Sequence, residues 1–281
     1  MESFSPEHMF DEMEAELPLY EKDPQKWLSI WRNRYDPAVF QILTNVYGPT
    51  LDRFWKTHTP PLVSKKAFVI VERRCHPNMW FILRNIAYFG RDWAIYIFCS
   101  KQNAAYIAGL LGDKLPHVHL NVIFTEIADA ASGVREYNEL LKQRQFWERI
   151  DAETVCTIEM DCYLRKPIPD ELLDYDYVGT PWGWSLHTPG GTGLSIRKRA
   201  AMLDVCDHAD KKIPMQDHFA AEGMFHQGYS WMPSSQGVNV FVENYYTDDP
   251  VGVHQWWTFF FNRFLYGGSK QIATKFLTLH V

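Results

Sequence analysis

The 281-residue sequence contains no run of about 18 apolar residues, the length an α-helix needs to cross a bilayer. Its first residues, Met1 to Pro6, lack the basic segment and apolar core of a signal peptide. The five cysteines, Cys75, Cys99, Cys156, Cys162 and Cys206, are odd in number and form no C-x-x-C pair, which argues for reduced thiols and against a zinc site or a disulfide framework. Basic residues are not in surplus. With a net charge of −6 the chain has no general attraction for nucleic acid or anionic lipid, so any phosphate must be held by local groups. Two nucleotide signatures are also missing: no G-K-[ST] follows the Gly-rich stretch at 190–193, and no G-x-G-x-x-G follows the first expected strand. These absences predict a cytoplasmic protein that uses neither a P-loop nor a dinucleotide fingerprint, and they leave its oligomeric state open.

What is present is a globular composition, 46% hydrophobic, sufficient for one domain of roughly 200 to 250 residues and an appendage. Aromatic residues reach 15%, with eleven Trp. Flat rings of this kind suit the C–H faces of sugars and equally suit core packing.

The chain opens with eight acids in Met1 to Asp23, where Glu7 to Leu17 could form a short helix but a solvated arm is the simpler expectation. Apolar positions from Trp27 to Val46 predict helices broken near Pro37 and Pro49, and Thr57 to Pro61 reads as a linker. Strands are then expected at Ala67–Val71, Trp93–Cys99 and Val118–Phe124. Helices are expected from His76-Pro77 through Phe89, from Asn103 to Leu111, and from Val134 to Ile150. A fourth strand, Val155–Ile158, follows. Alternation of this kind predicts a doubly wound α/β sheet whose ligands bind beyond the carboxyl ends of the strands. After residue 164 proline and glycine punctuate the chain, predicting loops and short strands laid against the sheet. The expected organisation is a helical extension over 1–61 and a main domain over 62–257, divided at 163/164 into nucleotide-binding and acceptor halves. An aromatic C-terminal helix is expected over 258–281.

The fourth strand delivers Glu159 and Asp161, two carboxylates two residues apart. On an extended backbone they point the same way, and like charges so close call for a cation between them. Magnesium or manganese bridging a diphosphate would supply one; a solvated strand end is the plainer alternative. The end of the first strand, Val71-Glu72-Arg73, reaches the same edge of the sheet, and the guanidinium groups of Arg73 and Arg74 could grip phosphate or be ordinary surface charge. Gly190 to Gly193 reads as a Gly-rich turn, Gln216-Asp217 opens a helix where Asp217 is a cap or a general base, and His254 stands on an expected tight turn as a structural residue or a metal ligand.

These pieces resemble a family. Tyr137-Asn138-Glu139-Leu140-Leu141, Phe146-Trp147, Glu159-Met160-Asp161-Cys162, Tyr177-Val178-Gly179-Thr180-Pro181-Trp182, Gly193-Leu194-Ser195-Ile196-Arg197, Gln216-Asp217 and Gly252-Val253-His254 follow in order. The series is similar to the Y-N-x-L-L, F-W, Q-x-D, Y-x-G-A-P-W, N-G-G-L-S-L-R, E-D and G-x-H pattern of GT-A-like glycosyltransferases found in bacteria, fungi and large DNA viruses. The resemblance spans about Ala67 to Trp257. It implies a GT-A-like domain, a nucleoside-diphosphate sugar donor, UDP-linked in the usual case, a manganese or magnesium ion, and a glycan or glycoprotein acceptor. It also implies roles: Asp161 as the metal-binding acid, Glu159 at the ribose or the metal, His254 as a late metal or diphosphate ligand, Gly193 and Ser195 along the donor sugar, and Asp217 as the base of an inverting transfer. Gln216, Thr180 and Gly191-Thr192 depart from the pattern, and these departures bear on the sugar and acceptor contacts. A hydrolase acting on nucleotide sugars or phosphodiesters, and a non-catalytic carbohydrate-binding protein, are the alternatives.

Overall fold

The computed structural model describes residues 5–124, 130–182, 189–237, 240–243, 247, 249–255 and 275–281. The aromatic stretch expected to form a C-terminal helix lies mostly at 256–274, outside the described residues, as does Gly183 of the expected loop layer.

The acidic start is a packed helix rather than a solvated arm. Helix α1 (Pro6–Tyr20) is capped by Ser5, whose hydroxyl accepts from His8 N at 3.2 Å. It buries Met9, Phe10 and Met13 completely. Its acids are tied to the next helix: Glu16 accepts from Trp31 Nε1 at 2.6 Å and Arg34 at 2.7 Å, and Glu12 accepts from the Tyr35 hydroxyl at 3.0 Å. That next helix, α2 (Pro24–Thr57), runs unbroken through Pro37 and Pro49. Each internal proline costs about 3 kcal/mol. Against that, Trp31, Tyr35, Val39, Phe40, Leu43, Leu51 and Trp55 are all buried along α2, each stabilising by roughly 1.5 to 3 kcal/mol. Burial wins and the helix continues.

The central sheet follows the expected alternation. Strand β1 (Lys66–Val71) leads through α3 (Met79–Phe89) to β2 (Ala94–Ser100), then through α4 (Ala104–Leu111) to β3 (His119–Phe124). Helices α5 (Ala130–Leu141) and α6 (Arg144–Glu148) precede β4 (Thr154–Ile158). The expected single helix 134–150 is thus two. Its interruption lets Trp147 fold back and donate from Nε1 to Leu141 O at 2.9 Å, while the buried Lys142 ammonium donates to the carbonyls of Lys211 and Ile213 at 3.1 and 3.0 Å. Strands β1 to β4 are parallel.

The second half departs more. Strand β5 (Cys162–Leu164) leaves the sheet, and β6 (Tyr177–Thr180) rejoins it at the far edge. The expected Gly-rich turn is in fact an eight-residue strand, β7 (Gly191–Lys198), inserted antiparallel between β4 and β6. Only Gly190, at φ 89°, turns the chain; β4 pairs with Leu194 to Lys198 along one edge, and β6 pairs with Gly191, Ile196 and Arg197 along the other. Helices α7 (Arg199–His208) and α8 (Gln216–His226) follow. Then β8 (Phe241–Val242) and β9 (Gly252–His254) join β5 in a small second sheet.

The main sheet has the order β3-β2-β1-β4-β7-β6. One face packs on α1 to α4 through residues such as Phe68, Ile70, Phe40 and Ile82, and the other on α5 to α8 through Val69, Val155, Trp147 and Phe219. This is the doubly wound α/β architecture expected, with the N-terminal helices sharing the first core. Among the described residues no helix is long and apolar enough to cross a membrane.

Candidate active site

From β1 the strand order runs outward through β2 to β3, then returns to β4 on the other side of β1. A crevice opens at such a reversal, beyond the carboxyl ends of the two strands. Here it is a cleft of about 610 Å³. Val71, Glu72, Arg73 and Arg74 line it from β1, and Glu159, Met160 and Asp161 from the end of β4. Val134 and Tyr137 of α5 contribute one wall, and Arg32, Asn33 and Asp36 of α2 another. The carboxylates sit on a tight turn rather than on a continuing strand: Glu159 N donates to Gly193 O at 3.0 Å and Cys162 N to Glu159 O at 3.2 Å.

His254 lies behind the two acids, 5% exposed, at the end of β9 where it pairs in register with Cys162. It is therefore on a strand rather than the expected turn; the turn comes one residue later, at Gln255, with φ 42°. His254 Nε2 is 3.4 Å from Asp161 Oδ1 and 3.8 Å from Glu159 Oε2, and Nδ1 is 3.3 Å from Glu243 Oε2. Burial alone would lower the imidazole's pKa, but Glu243 and Asp161 outweigh it and push it well above the usual histidine range. Burial likewise disfavours a charged Asp161, yet the facing His254 holds its pKa below normal. Glu159 moves the other way, raised by burial and by Asp161, and accepts from the Tyr137 hydroxyl at 2.8 Å.

The amide of Gln255 opposes that pull on His254. Arg32 can only donate, and it donates to Gln255 Oε1, so Gln255 Nε2 faces His254 Nε2 at 2.7 Å. Two N–H groups cannot face each other at that distance. The amide order therefore leaves on His254 Nε2 a lone pair that accepts from Gln255 Nε2, and we favour it because Arg32 admits no other orientation.

The fit of a metal follows from these donors. A carboxylate oxygen of Asp161, a ring nitrogen of His254 and Cys162 Sγ lie within 4.8 Å of one another. Burial and the neighbouring Asp161 hold the Cys162 thiol well above its ordinary pKa, and it donates to Gly193 O at 3.2 Å, so it stays protonated. What remains is an oxygen and nitrogen set, with Glu159 adjacent, of the kind that suits magnesium or manganese.

Other expected residues take different places. Gly193 is under the His254 ring rather than in the cleft lining. Ser195 is fully buried, its hydroxyl 2.8 Å from that of Thr157, bonded to Thr192 O and accepting from Arg197 Nε at 2.9 Å. Asp217 opens α8 outside the cleft lining, but its charge is felt at Glu159 and Tyr137. Arg73 and Arg74 do line the cleft, yet each already has an acid: Arg73 pairs with Glu136, and Arg74 is chelated by both oxygens of Glu72 at 2.9 and 2.8 Å. Sequence reasoning missed Arg32, Asp36, Glu243 and Gln255. Tyr137 is legible in the sequence only as part of a motif, and its bond to Glu159 arises in the fold. Asp36 carries a signal only in space: partly buried and near Asp161, its pKa is pushed up to about 7.

Fold and site together define a doubly wound α/β domain with an acid-and-histidine cluster at its switch point. Residues 121–260, just under half of the chain, match the model of a family described as "Protein of unknown function (DUF5672)". Comparison with curated proteins returns no match. Among solved structures the chain is similar to a cytidylyltransferase from Leptospira borgpetersenii serovar Hardjo-bovis (strain JB197), at 9% identity and TM-score 0.40, over 59% of this chain and 74% of that one. It is also similar to the apo-form glycosyltransferase GlyE of Streptococcus pneumoniae TIGR4, at 10% identity and TM-score 0.42, over 68% of this chain and 54% of GlyE. At these values the likenesses carry no functional argument, and the fold rests on the strand order itself.

Proposed function

We propose that the protein is a metal-dependent, inverting glycosyltransferase that moves a sugar from a nucleoside-diphosphate donor, UDP-linked, to a hydroxyl of a glycan acceptor. The observation that carries this reading is the convergence of Glu159 and Asp161, which line the switch-point cleft, with His254 buried behind them. Asp161 and His254 would hold a manganese or magnesium ion, with Glu159 beside it; when bound, that ion would neutralise the diphosphate leaving group. Tyr137 orients Glu159 through its hydroxyl. Asp217 is the candidate base: it would take the proton of the attacking hydroxyl, and its support is that its field reaches Glu159 and Tyr137.

Turnover of a panel of UDP-sugars with manganese and a mixed glycan acceptor tests the reading. Asp161→Asn should lower transfer by roughly a hundredfold or more, the scale of losing a principal electrostatic contact to the transition state. Asp217→Asn should abolish transfer while leaving donor binding in place. Undiminished turnover in Asp161→Asn would overturn the proposal. So would release of free sugar by the unmodified protein at a rate indifferent to acceptor, which is the behaviour of a hydrolase.

A further inference from the structure

The cleft is expected to receive a diphosphate, yet the two arginines that the sequence offers for it are already neutralised by Glu136 and Glu72. A third guanidinium lines the same cleft from outside the sheet. Arg32, on α2, is exposed, and among the described residues its one hydrogen bond is to the neutral amide oxygen of Gln255, with no carboxylate in ion-pair contact. Its charge is felt at Asp161 and at Asp36. It thus stands beside the carboxylate expected to hold the metal, tethered at one nitrogen, with its other donors uncommitted to any described residue. A planar guanidinium presents parallel N–H groups that match two phosphate oxygens. The tether also limits the side-chain entropy lost when such a ligand binds.

We propose that Arg32 is a diphosphate-binding residue, contributed to the donor site by α2; this rests on the reading of the cleft as a nucleoside-diphosphate site. The competing role is that of a countercharge, easing repulsion between Asp36 and Asp161 without touching ligand. The two roles differ in what they do to an anion. A countercharge alone leaves pyrophosphate affinity unchanged when removed. A direct contact lowers it, while affinity for manganese alone stays level or rises, because a positive charge near Asp161 has gone.

The experiment is calorimetric titration of the full chain with manganese alone, with inorganic pyrophosphate plus manganese, and with UDP plus manganese. It compares the unmodified protein with Arg32→Ala, Arg32→Lys, Gln255→Ala and, as a distant surface control, Arg91→Ala. Arg32→Ala should weaken both pyrophosphate and UDP by roughly ten- to a hundredfold, the scale of losing one charged hydrogen-bonding partner. Arg32→Lys should recover part of the loss. Gln255→Ala should cost less than Arg32→Ala, and Arg91→Ala should cost nothing. Unaltered pyrophosphate affinity in Arg32→Ala overturns the proposal while leaving the donor-site reading intact, provided the unmodified protein binds UDP. A loss in Gln255→Ala as large as that in Arg32→Ala also overturns it, since Arg32 would then act only through the His254 neighbour. Failure of the unmodified protein to bind either UDP or pyrophosphate overturns both readings together. Thermal melts of each variant separate loss of binding from loss of fold.

Discussion

Gly193 leaves the imidazole of His254 no room to spare: a Cβ built at Gly193 would stand 2.5 Å from Cε1, 2.6 Å from Nε2 and 2.9 Å from Nδ1. The glycine on β7 is therefore a seat for the histidine on β9. Gly193→Ala should displace the ring from its place against Asp161. The expected result is a loss of manganese affinity of at least about tenfold with a fall of only a few degrees in Tm, the size of a modest overpacking penalty. Titration of manganese against the folded variant checks it, and unaltered affinity would remove His254 from the ligand set.

Tyr137 gives Glu159 its described hydrogen bond, at 2.8 Å. Tyr137→Phe keeps the ring and deletes the donor, leaving a partly buried carboxylate short of a partner. A loss of about 1 to 3 kcal/mol is expected. Urea denaturation should show it as a lower midpoint at unchanged slope.

Arg197 is wholly buried and has no acid in ion-pair contact among the described residues. Its guanidinium bonds to Ser195 and Thr192 O and lies 5.4 Å from the Trp147 ring centroid and 5.9 Å from that of Tyr177. A lysine keeps the charge but not the planar fork. Arg197→Lys should therefore destabilise the fold by roughly 2 to 4 kcal/mol, measured by denaturant unfolding, even though the charge is conserved.

Asp36 sets a pH dependence. Burial and the nearby Asp161 raise its folded pKa to about 7, against roughly 3.9 in an unfolded chain. Over that interval the folded state holds a proton that the unfolded state has lost. Its contribution to stability is complete below about pH 4 and is lost as pH rises through about 7. In chelator, Asp36→Asn should match the unmodified protein at pH 4 and exceed it at pH 8. The gain is expected to be about 1 to 2 kcal/mol, reduced from the full linkage value because the residue is partly exposed. Equal stabilities at pH 8 would show that Asp36 ionises without penalty.

The parallel half of the sheet was legible because its strands are short apolar runs and its helices carry their own starts and stops. Val155 to Ile158 announced β4, and Glu159 with Asp161 announced the carboxylates that line the candidate site at its end. Strand β7 was not legible. Its glycines read as a turn, and only pairing on both edges, with Ser195 opposite Thr157 and Ile196 opposite Val178, makes it a strand. Pro37 and Pro49 misled for the same reason, since the burial that carries α2 past them comes from partners elsewhere in the chain. Arg32, Asp36 and Gln255 have no local pattern that links them to a cleft. Their roles arise from tertiary contact alone.

The bond between Arg32 and Gln255 joins residues 223 positions apart. During synthesis the first two helices emerge with the apolar side chains of Trp31, Tyr35, Phe40 and Leu43 lacking the sheet they will cover. Strand β9 and the Arg32 tether arrive more than two hundred residues later. Contacts of such separation form slowly, because a long loop must close before they stabilise anything. The cleft is thus among the last parts of the molecule to take shape. A chain whose synthesis is interrupted before residue 254 would hold most of its sheet and no working site.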